Sequence, residues 1–303
     1  MNLRNILVAT DLDDSTEPIY RWALHIARVL NAEITLVHVD QLGATGFHDS
    51  SSLNTWLSHF HRILTDRIEQ LATSIEEAGV PCRTVIRQGH PVEELLDAIE
   101  TEDADLLIIA KRGEGALSRF IVGSTTRKLL RGAAIPILVV DIGHAEDVKI
   151  ERILTTTDLS RDSDLGLGFA RDLAVAFGAT LDAIHVFQWP LYIPHAPGHP
   201  TTTLPPTAVE ELRRYYETEL DASRAVANET GHSVVVDPDV AHGILAYAHK
   251  RKSDLLIIPS HGKGTLKATV LGSTSERTVE ATTLPVLVLP RAWLEATEDG
   301  AVS

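Results

Sequence analysis

The amino-acid sequence repeats itself once, and this repeat limits the folds that are open to the chain. Four segments of the first half recur in the second half in the same order, 147 to 149 residues later. The matching pairs are Ile6–Leu12 with Ile153–Leu159, Ile34–Val39 with Leu181–Val186, Asp105–Ile109 with Asp254–Ile258, and Ile135–Val140 with Leu284–Leu289. Because the matches run along the full length of both halves, they indicate a duplicated domain and not one shared motif.

Each repeat alternates short apolar runs with longer amphipathic segments. Runs such as Ile6–Ala9 are typical of strands that are buried on both faces of a parallel sheet. The first repeat has further predicted strands at 34–39, 82–87, 106–110 and 135–140, and predicted helices at 16–30, 56–78, 91–100 and 125–131. The pattern predicts an α/β protein of two tandem doubly wound domains, each a five-stranded, mostly parallel sheet with helices on both faces.

The repeat also predicts where the domains begin and end. The first domain covers 1–142 and the second 150–290, with a linker at 142–149. Because the linker is short, we expect the two domains to pack against each other. Residues 291–303 are acidic and are predicted to form a flexible tail.

Composition excludes several classes of function. The net charge of −15 disfavours binding to nucleic acid or to an anionic membrane. The single cysteine, Cys82, excludes an intramolecular disulfide, as is typical of a reducing compartment. The N-terminus enters a predicted strand without a signal segment, and no apolar run reaches the roughly 18 residues of a spanning helix. We therefore expect a cytoplasmic protein.

In an open parallel sheet, ligands bind at the carboxyl ends of the strands, where the strand order reverses. At this edge of the sheet, each repeat is predicted to have an aspartate after its first strand and a valine at the end of its second strand. A loop that contains glycine leads from the fourth strand into the next helix. The start of such a helix offers free N–H groups and a positive dipole end to a phosphate. The candidate nucleotide-binding residues are Asp11, Val39, Ala110, Gly113, Gly123, Ser124 and Thr125, with their counterparts Asp158, Val186, Pro259, Gly262, Gly272, Ser273 and Thr274.

These residues resemble the universal stress protein family over nearly the whole chain, twice. The resemblance rests on Asp11 and Asp158, on the spacing of the loop, and on the final apolar strands with their proline. The nucleotide-binding branch of that family carries the motif G-x2-G-x9-G-[ST]. In this sequence Ala110 and Pro259 stand at the first glycine, whereas the later glycines and the hydroxyl residue are present.

The resemblance implies an adenine nucleotide alpha hydrolase-like, Rossmann-like fold. It further implies a stress-response module that binds ATP, with Mg²⁺, or a similar adenine nucleotide in at least one domain. The final strands of the two repeats are expected to pair with each other and to mimic the homodimer of the family. A homodimer of the whole chain and an unknown protein partner are left open.

The two repeats differ in how well they suit a nucleotide. Ala110 keeps its backbone N–H, whereas Pro259 has none and has a fixed φ angle. Residues 110–131 carry six basic residues and one acidic residue, a local charge of +5, whereas residues 259–280 carry +1. The second repeat matches the family more closely, through Ser260–Lys263 and Leu271–Glu276. Because a positive loop in an acidic protein suits a polyphosphate, the sequence nevertheless favours the first repeat by a small margin.

Purely structural roles for the same residues stay open. Ser124, Ser273 and the two strand-end aspartates could each be a helix N-cap, and Gly113 and Gly262 could serve a positive-φ turn. A nucleotide-free scaffold, which binds protein partners through the proline-rich segment at 188–207, is the alternative function.

Catalytic residues and metal ligands are not expected. No general base stands out, although weak ATP hydrolysis is left open, and no Ser-His-Asp order with a nucleophile elbow occurs. His38 and His185 at strand ends are typical of packed or hydrogen-bonded histidines. His195 and His199 lack the accompanying ligands of a zinc site.

Overall fold

The structure is a computed structural model of the chain, and it describes residues 3–13, 16–41, 51–111, 123–142, 148–188, 206–222, 231–261 and 271–300. Ten strands and nine helices alternate within these ranges. The first repeat contains β1 (Asn5–Ala9), α1 (Glu17–Leu30), β2 (Glu33–Asp40), α2 (Ser51–Glu77), β3 (Cys82–Gln88), α3 (Pro91–Thr101), β4 (Leu106–Lys111), α4 (Ser124–Gly132) and β5 (Ile137–Asp141). The second contains β6 (Arg152–Thr156), α5 (Arg161–Phe177), β7 (Thr180–Gln188), α6 (Pro206–Ala222), β8 (Gly231–Asp237), α7 (Val240–Arg251), β9 (Leu255–Pro259), α8 (Ser273–Ala281) and β10 (Val286–Leu289), and α9 (Arg291–Gly300) follows. None of the helices in these ranges is long and apolar enough to cross a membrane.

The ten strands form one sheet in the order β3-β2-β1-β4-β5-β10-β9-β6-β7-β8. Within each repeat the neighbouring strands are parallel, which confirms the prediction of two five-stranded, doubly wound domains. The repeats join at a seam where β5 and β10 pair antiparallel, with Leu138 opposite Leu287. The expectation that the last strands pair with each other is therefore confirmed, and the two domains form an intramolecular pseudo-dimer.

Each face of the sheet carries one apolar core, and each core extends through both repeats. One core packs α1, α2, α5 and α9 against strand residues such as Ile6 and Ile153. The other packs α3, α4, α7 and α8 against residues such as Leu107 and Leu256. Alternate residues of a strand point to opposite faces, so each strand needs an unbroken apolar run. The two repeats thus share their cores.

The aspartate before β4 and its counterpart before β9 account for one of the sequence matches. The Asp105 carboxylate accepts hydrogen bonds from the backbone N–H groups of Arg4 and Asn5, at 2.7 and 2.9 Å. Asp254 binds the two corresponding amides at the start of β6, both at 2.9 Å. In each repeat this carboxylate satisfies two amides at the start of the first strand and so ties the first strand to the fourth.

The expectation of a flexible tail is wrong for residues 291–300, which form α9. The Leu294 side chain is 1% exposed. Trp293 packs edge-on against Phe169 of α5, with 5.1 Å between the ring centroids. The acidic composition of this segment concealed two adjacent apolar residues, and their burial is sufficient to dock a short helix.

Helices α4 and α8 face each other beside the seam and carry opposite charges. Arg127 lies 3.2 Å from the Glu276 carboxylate and 2.8 Å from that of Glu280, and Arg131 lies 3.0 Å from Glu276. In the repeat alignment, Arg127 corresponds to Glu276 and Arg131 to Glu280, 149 residues apart. These ion pairs join the two repeats in addition to the strand pairing.

Candidate functional site

Each repeat has a cleft at the carboxyl ends of its strands, where the strand order reverses between β1 and β4 or between β6 and β9. The first cleft encloses about 340 Å³ and the second about 310 Å³. The predicted site residues that line the first cleft are Asp11, Val39, Ala110, Gly123 and Thr125. Those that line the second are Asp158, Val186, Pro259, Gly272, Ser273 and Thr274. Among the described candidates Ser124 is the exception, and Gly113 and Gly262 lie outside the described residues.

The turn after the first strand of each repeat contains a strained residue. Leu12 and Leu159 directly follow the two aspartates, with φ values of 63° and 60°, in the left-handed region that glycine favours. The hydroxyl oxygens of Thr10 and Thr157 accept the N–H groups of these leucines, at 2.9 and 3.0 Å. Such strain persists only where the surroundings enforce it, and here it occurs beside both clefts.

The two aspartates do not cap the following helices, so the capping role is wrong for them. Asp11 accepts a hydrogen bond from the N–H of Asp13, and Asp158 accepts one from the N–H of Ser160, both at 3.1 Å. The residues at the helix N-caps are Thr16 in α1 and Ser160 in α5. Each carboxylate therefore forms a tight turn that holds it at the mouth of its cleft.

His38 and His185 are tied to the first strand of their repeats. The Nδ1 atom of His38 lies 2.9 Å from the carbonyl oxygen of Thr10, and that of His185 lies 2.8 Å from the carbonyl oxygen of Thr157. This confirms that both histidines are hydrogen-bonded. The contact fixes the end of the second strand, and hence the valine that follows each histidine in the cleft wall.

The helices that close the clefts begin at glycine N-caps, Gly123 for α4 and Gly272 for α8. The capping role is therefore wrong for Ser124 and Ser273 as well, because these serines are the first helical residues. Among the described residues, no atom lies within 4 Å of a Cβ built on Gly123, whereas a Cβ on Gly272 would lie 3.1 Å from the Ser260 carbonyl oxygen. The Gly272 N–H donates to that oxygen at 2.7 Å. The start of α8 is thus docked on Ser260, directly after β9, whereas none of the residues described by the structure is in such contact with the Cβ position of Gly123.

The residues that replace the first motif glycine direct their side chains towards the opposite core. Ala110 packs in the core that contains α1, although the first cleft lies mainly under α3 and α4. The Pro259 ring reaches α5, where its Cγ lies 3.3 Å from the Cβ position at Gly166. Ile19 occupies the position of Gly166 in the first repeat, so strand and helix have exchanged large and small residues. Towards the cleft, the two repeats differ by the N–H group that Pro259 lacks.

Lys111, one of the six basic residues of the segment 110–131, is buried between the repeats and is 2% exposed. Its ammonium donates to the carbonyl oxygens of Val279, Glu280 and Thr282, at 3.0, 2.6 and 2.8 Å. These oxygens lie at the end of α8, where the helix dipole is negative. Burial lowers the pKa of Lys111, and the nearby carboxylates of Asp141 and Glu280 oppose that change.

The prediction of a +5 field for a polyphosphate is wrong for three of these six basic residues. Lys111 binds α8, and Arg127 and Arg131 pair with the glutamates of the same helix. Arg112 and Arg119 lie outside the described residues. The sequence signal for this interface between α4 and α8 is that equivalent positions of the two repeats carry opposite charges.

Several residues of the clefts were not among the sequence candidates. In the first cleft they include Thr10, Thr16, Gln41, Pro91 and Leu95, and in the second Thr157, Ser163, Ile244, His261 and Ser275. Many of them match between the repeats, as Leu95 and Ile244 do. Alignment of the two halves beyond the strand ends would have identified these pairs.

Two equivalent clefts at the reversal points of one sheet define the class of protein. The chain is a tandem, doubly wound α/β protein, and ligands of such sheets bind in the crevice at this point.

Comparison with known proteins gives the family. The model of the universal stress protein family matches residues 2–141 and again 149–290, so the chain belongs to that family and carries two of its domains. A universal stress protein of Mycolicibacterium smegmatis is 30% identical over 294 residues, which cover 94% of this chain and 96% of that protein. One from Mycobacterium tuberculosis is 23% identical, with 93% and 96% covered. The crystal structure of a universal stress protein from Archaeoglobus fulgidus has a TM-score of 0.71 at 21% identity, over 96% of this chain and 100% of that one, and so has the same fold.

Proposed function

We propose that this chain is a stress-response binding protein whose first cleft takes ATP, with Mg²⁺, or a similar adenine nucleotide. The observation that carries the proposal is that one cleft of about 340 Å³ is lined both by Asp11 and by Gly123 at the start of α4. A volume of this size is typical of small-molecule sites. The helix start suits phosphate groups, and the carboxylate of Asp11 is an acceptor for a ribose hydroxyl or a base amine.

The second cleft is the weaker candidate for two reasons. Pro259 has no N–H to offer at the position of the first motif glycine. The N–H of Gly272 already donates to the Ser260 carbonyl oxygen, so a phosphate would have to compete for it. The first cleft is therefore the principal nucleotide-binding site in this proposal.

The test is equilibrium titration of the full chain with a fluorescent ATP analogue in the presence of Mg²⁺. The variant Gly123→Val adds a side chain at a position where no described residue lies within 4 Å of the Cβ, so the fold should tolerate it. The added methyl groups would occupy the place of the phosphates. We expect the affinity of the first cleft to fall at least about tenfold, equivalent to about 1.4 kcal/mol.

Gly168→Val is the matched control, because a Cβ on Gly168 of α5 also has no described neighbour within 4 Å. It should bind the analogue as the wild type does, and melting temperatures should show both variants folded. If the wild type fails to bind nucleotide at millimolar concentration, the proposal is wrong. Equal binding by Gly123→Val and the wild type would exclude the first cleft as the site.

A further inference from the structure

The two repeats carry a glutamine at the same position, two residues after the valine that lines each cleft, but the two glutamine side chains have different surroundings. Gln41 is exposed and lines the first cleft. Gln188, 147 residues later, donates from its Nε2 to the carbonyl oxygen of Pro238 at 3.1 Å. It is not among the described residues that line the second cleft.

The cleft that Gln41 lines is apolar over much of its wall. Its apolar lining residues include Val37, Val39, Pro91 and Leu95. Apolar side chains of this kind pack against the faces of a flat ring, whereas recognition of one ring over another requires polar groups at its edge. The amide of Gln41 provides an acceptor and two donors in one plane at that place.

A glutamine amide distinguishes adenine from guanine by its pattern of donors and acceptors. Adenine presents the N6 donor beside the N7 acceptor, and an amide pairs with both at once. Guanine presents two acceptors, O6 and N7, along the same edge, so the carbonyl oxygen of the amide would face O6 without a hydrogen bond. A cleft without such an amide lacks this paired reading of N6 and N7.

We propose that Gln41 is the residue that selects adenine over guanine in the first cleft, and that the second cleft lacks this selection because the amide of Gln188 is held by Pro238. The inference rests on the proposed nucleotide binding and adds the residue that determines its base specificity.

The experiment compares the affinities of the full-length protein for ATP and GTP in the wild type, Gln41→Leu and Gln188→Leu. The first cleft is identified as the component of the titration that Gly123→Val removes. In the wild type this component should favour ATP by about tenfold, the discrimination expected of one bidentate amide contact. Gln41→Leu should reduce the ratio to near one, chiefly by weaker ATP binding.

Gln188→Leu is the matched control and should leave the ratio of the first cleft unchanged. Gln41 is exposed, so its replacement should not alter the melting temperature. An unchanged ATP-to-GTP ratio in Gln41→Leu would overturn the inference while leaving nucleotide binding intact. If the wild type bound neither nucleotide, the proposed function itself would fail.

Discussion

The buried ammonium of Lys111 should be the most sensitive point of the contact between the two repeats. The perturbation is Lys111→Met, which keeps most of the apolar stem and removes the charge and the three donated hydrogen bonds. Carbonyl oxygens of Val279, Glu280 and Thr282 would lose their partner at the end of α8. A buried carbonyl without a partner costs about 1–3 kcal/mol.

The net cost is smaller than three times that value. Methionine avoids the desolvation of the ammonium, whose lowered pKa reflects burial. Glu280 is only partly buried, so water can reach part of the end of the helix. Loss of a cation at the negative end of α8 adds about 0.5 kcal/mol. Together these effects predict that Lys111→Met lowers the free energy of unfolding by about 2–4 kcal/mol.

Urea unfolding followed by far-UV circular dichroism measures this loss. Because both cores run through both repeats, we expect one cooperative transition. Lys128→Met is the matched control, because Lys128 is exposed on α4 and its replacement should change stability by less than about 0.5 kcal/mol. If Lys111→Met costs no more than Lys128→Met, the three hydrogen bonds do not hold the repeats together.

Two further predictions concern charge in the folded chain. Reversal of both arginines, Arg127→Glu with Arg131→Glu, should cost about 2 kcal/mol in urea unfolding, because partly exposed ion pairs contribute about 0.2–1 kcal/mol each and repulsion adds to their loss. Adding the reversals Glu276→Arg and Glu280→Arg should restore most of the lost stability. If stability is not restored, direct pairing between these arginines and glutamates is contradicted. Burial lowers the pKa of His25, so the unfolded chain binds the proton more readily and stability should fall as the pH drops below about 6.5. His25→Phe should therefore lose less melting temperature than the wild type when the pH is lowered from about 8 to about 5, a range that spans the ordinary histidine pKa. If the melting temperatures of both proteins fall equally with pH, His25 does not contribute.

Much of the fold could be predicted because it depends on local patterns that the repeat presents twice. Runs such as Ile6–Ala9 have to be buried on both faces, and this alone favours a parallel sheet covered by helices. The end of α1 could also be predicted, because asparagine readily takes the left-handed conformation that ends a helix. Asn31 has this conformation, with φ of 53°. The pairing of β5 with β10 came from the family resemblance, because an edge strand carries no local mark of its partner.

The differences at the site have physical origins that a sequence does not show, namely which way a side chain points and which residue other than glycine takes a left-handed backbone conformation. Lys111 follows Ala110 in a strand, and its ammonium is directed to the other repeat and away from the cleft. Leu12 has a left-handed backbone conformation, but a leucine gives no sign of this in the sequence as a glycine would. The meeting of Gln41 and Gly123 in one cleft depends on residues that are far apart in the sequence.

The reciprocal charges on α4 and α8 also bear on the history of the duplication. Two copies of the first repeat, brought together in the same way, would set Arg127 and Arg131 against their own kind. Two copies of the second would do the same with Glu276 and Glu280. The charges on this surface therefore suit a pair of unlike repeats better than a pair of identical ones. Two repeats produced as separate chains should accordingly favour pairing with each other over pairing with themselves.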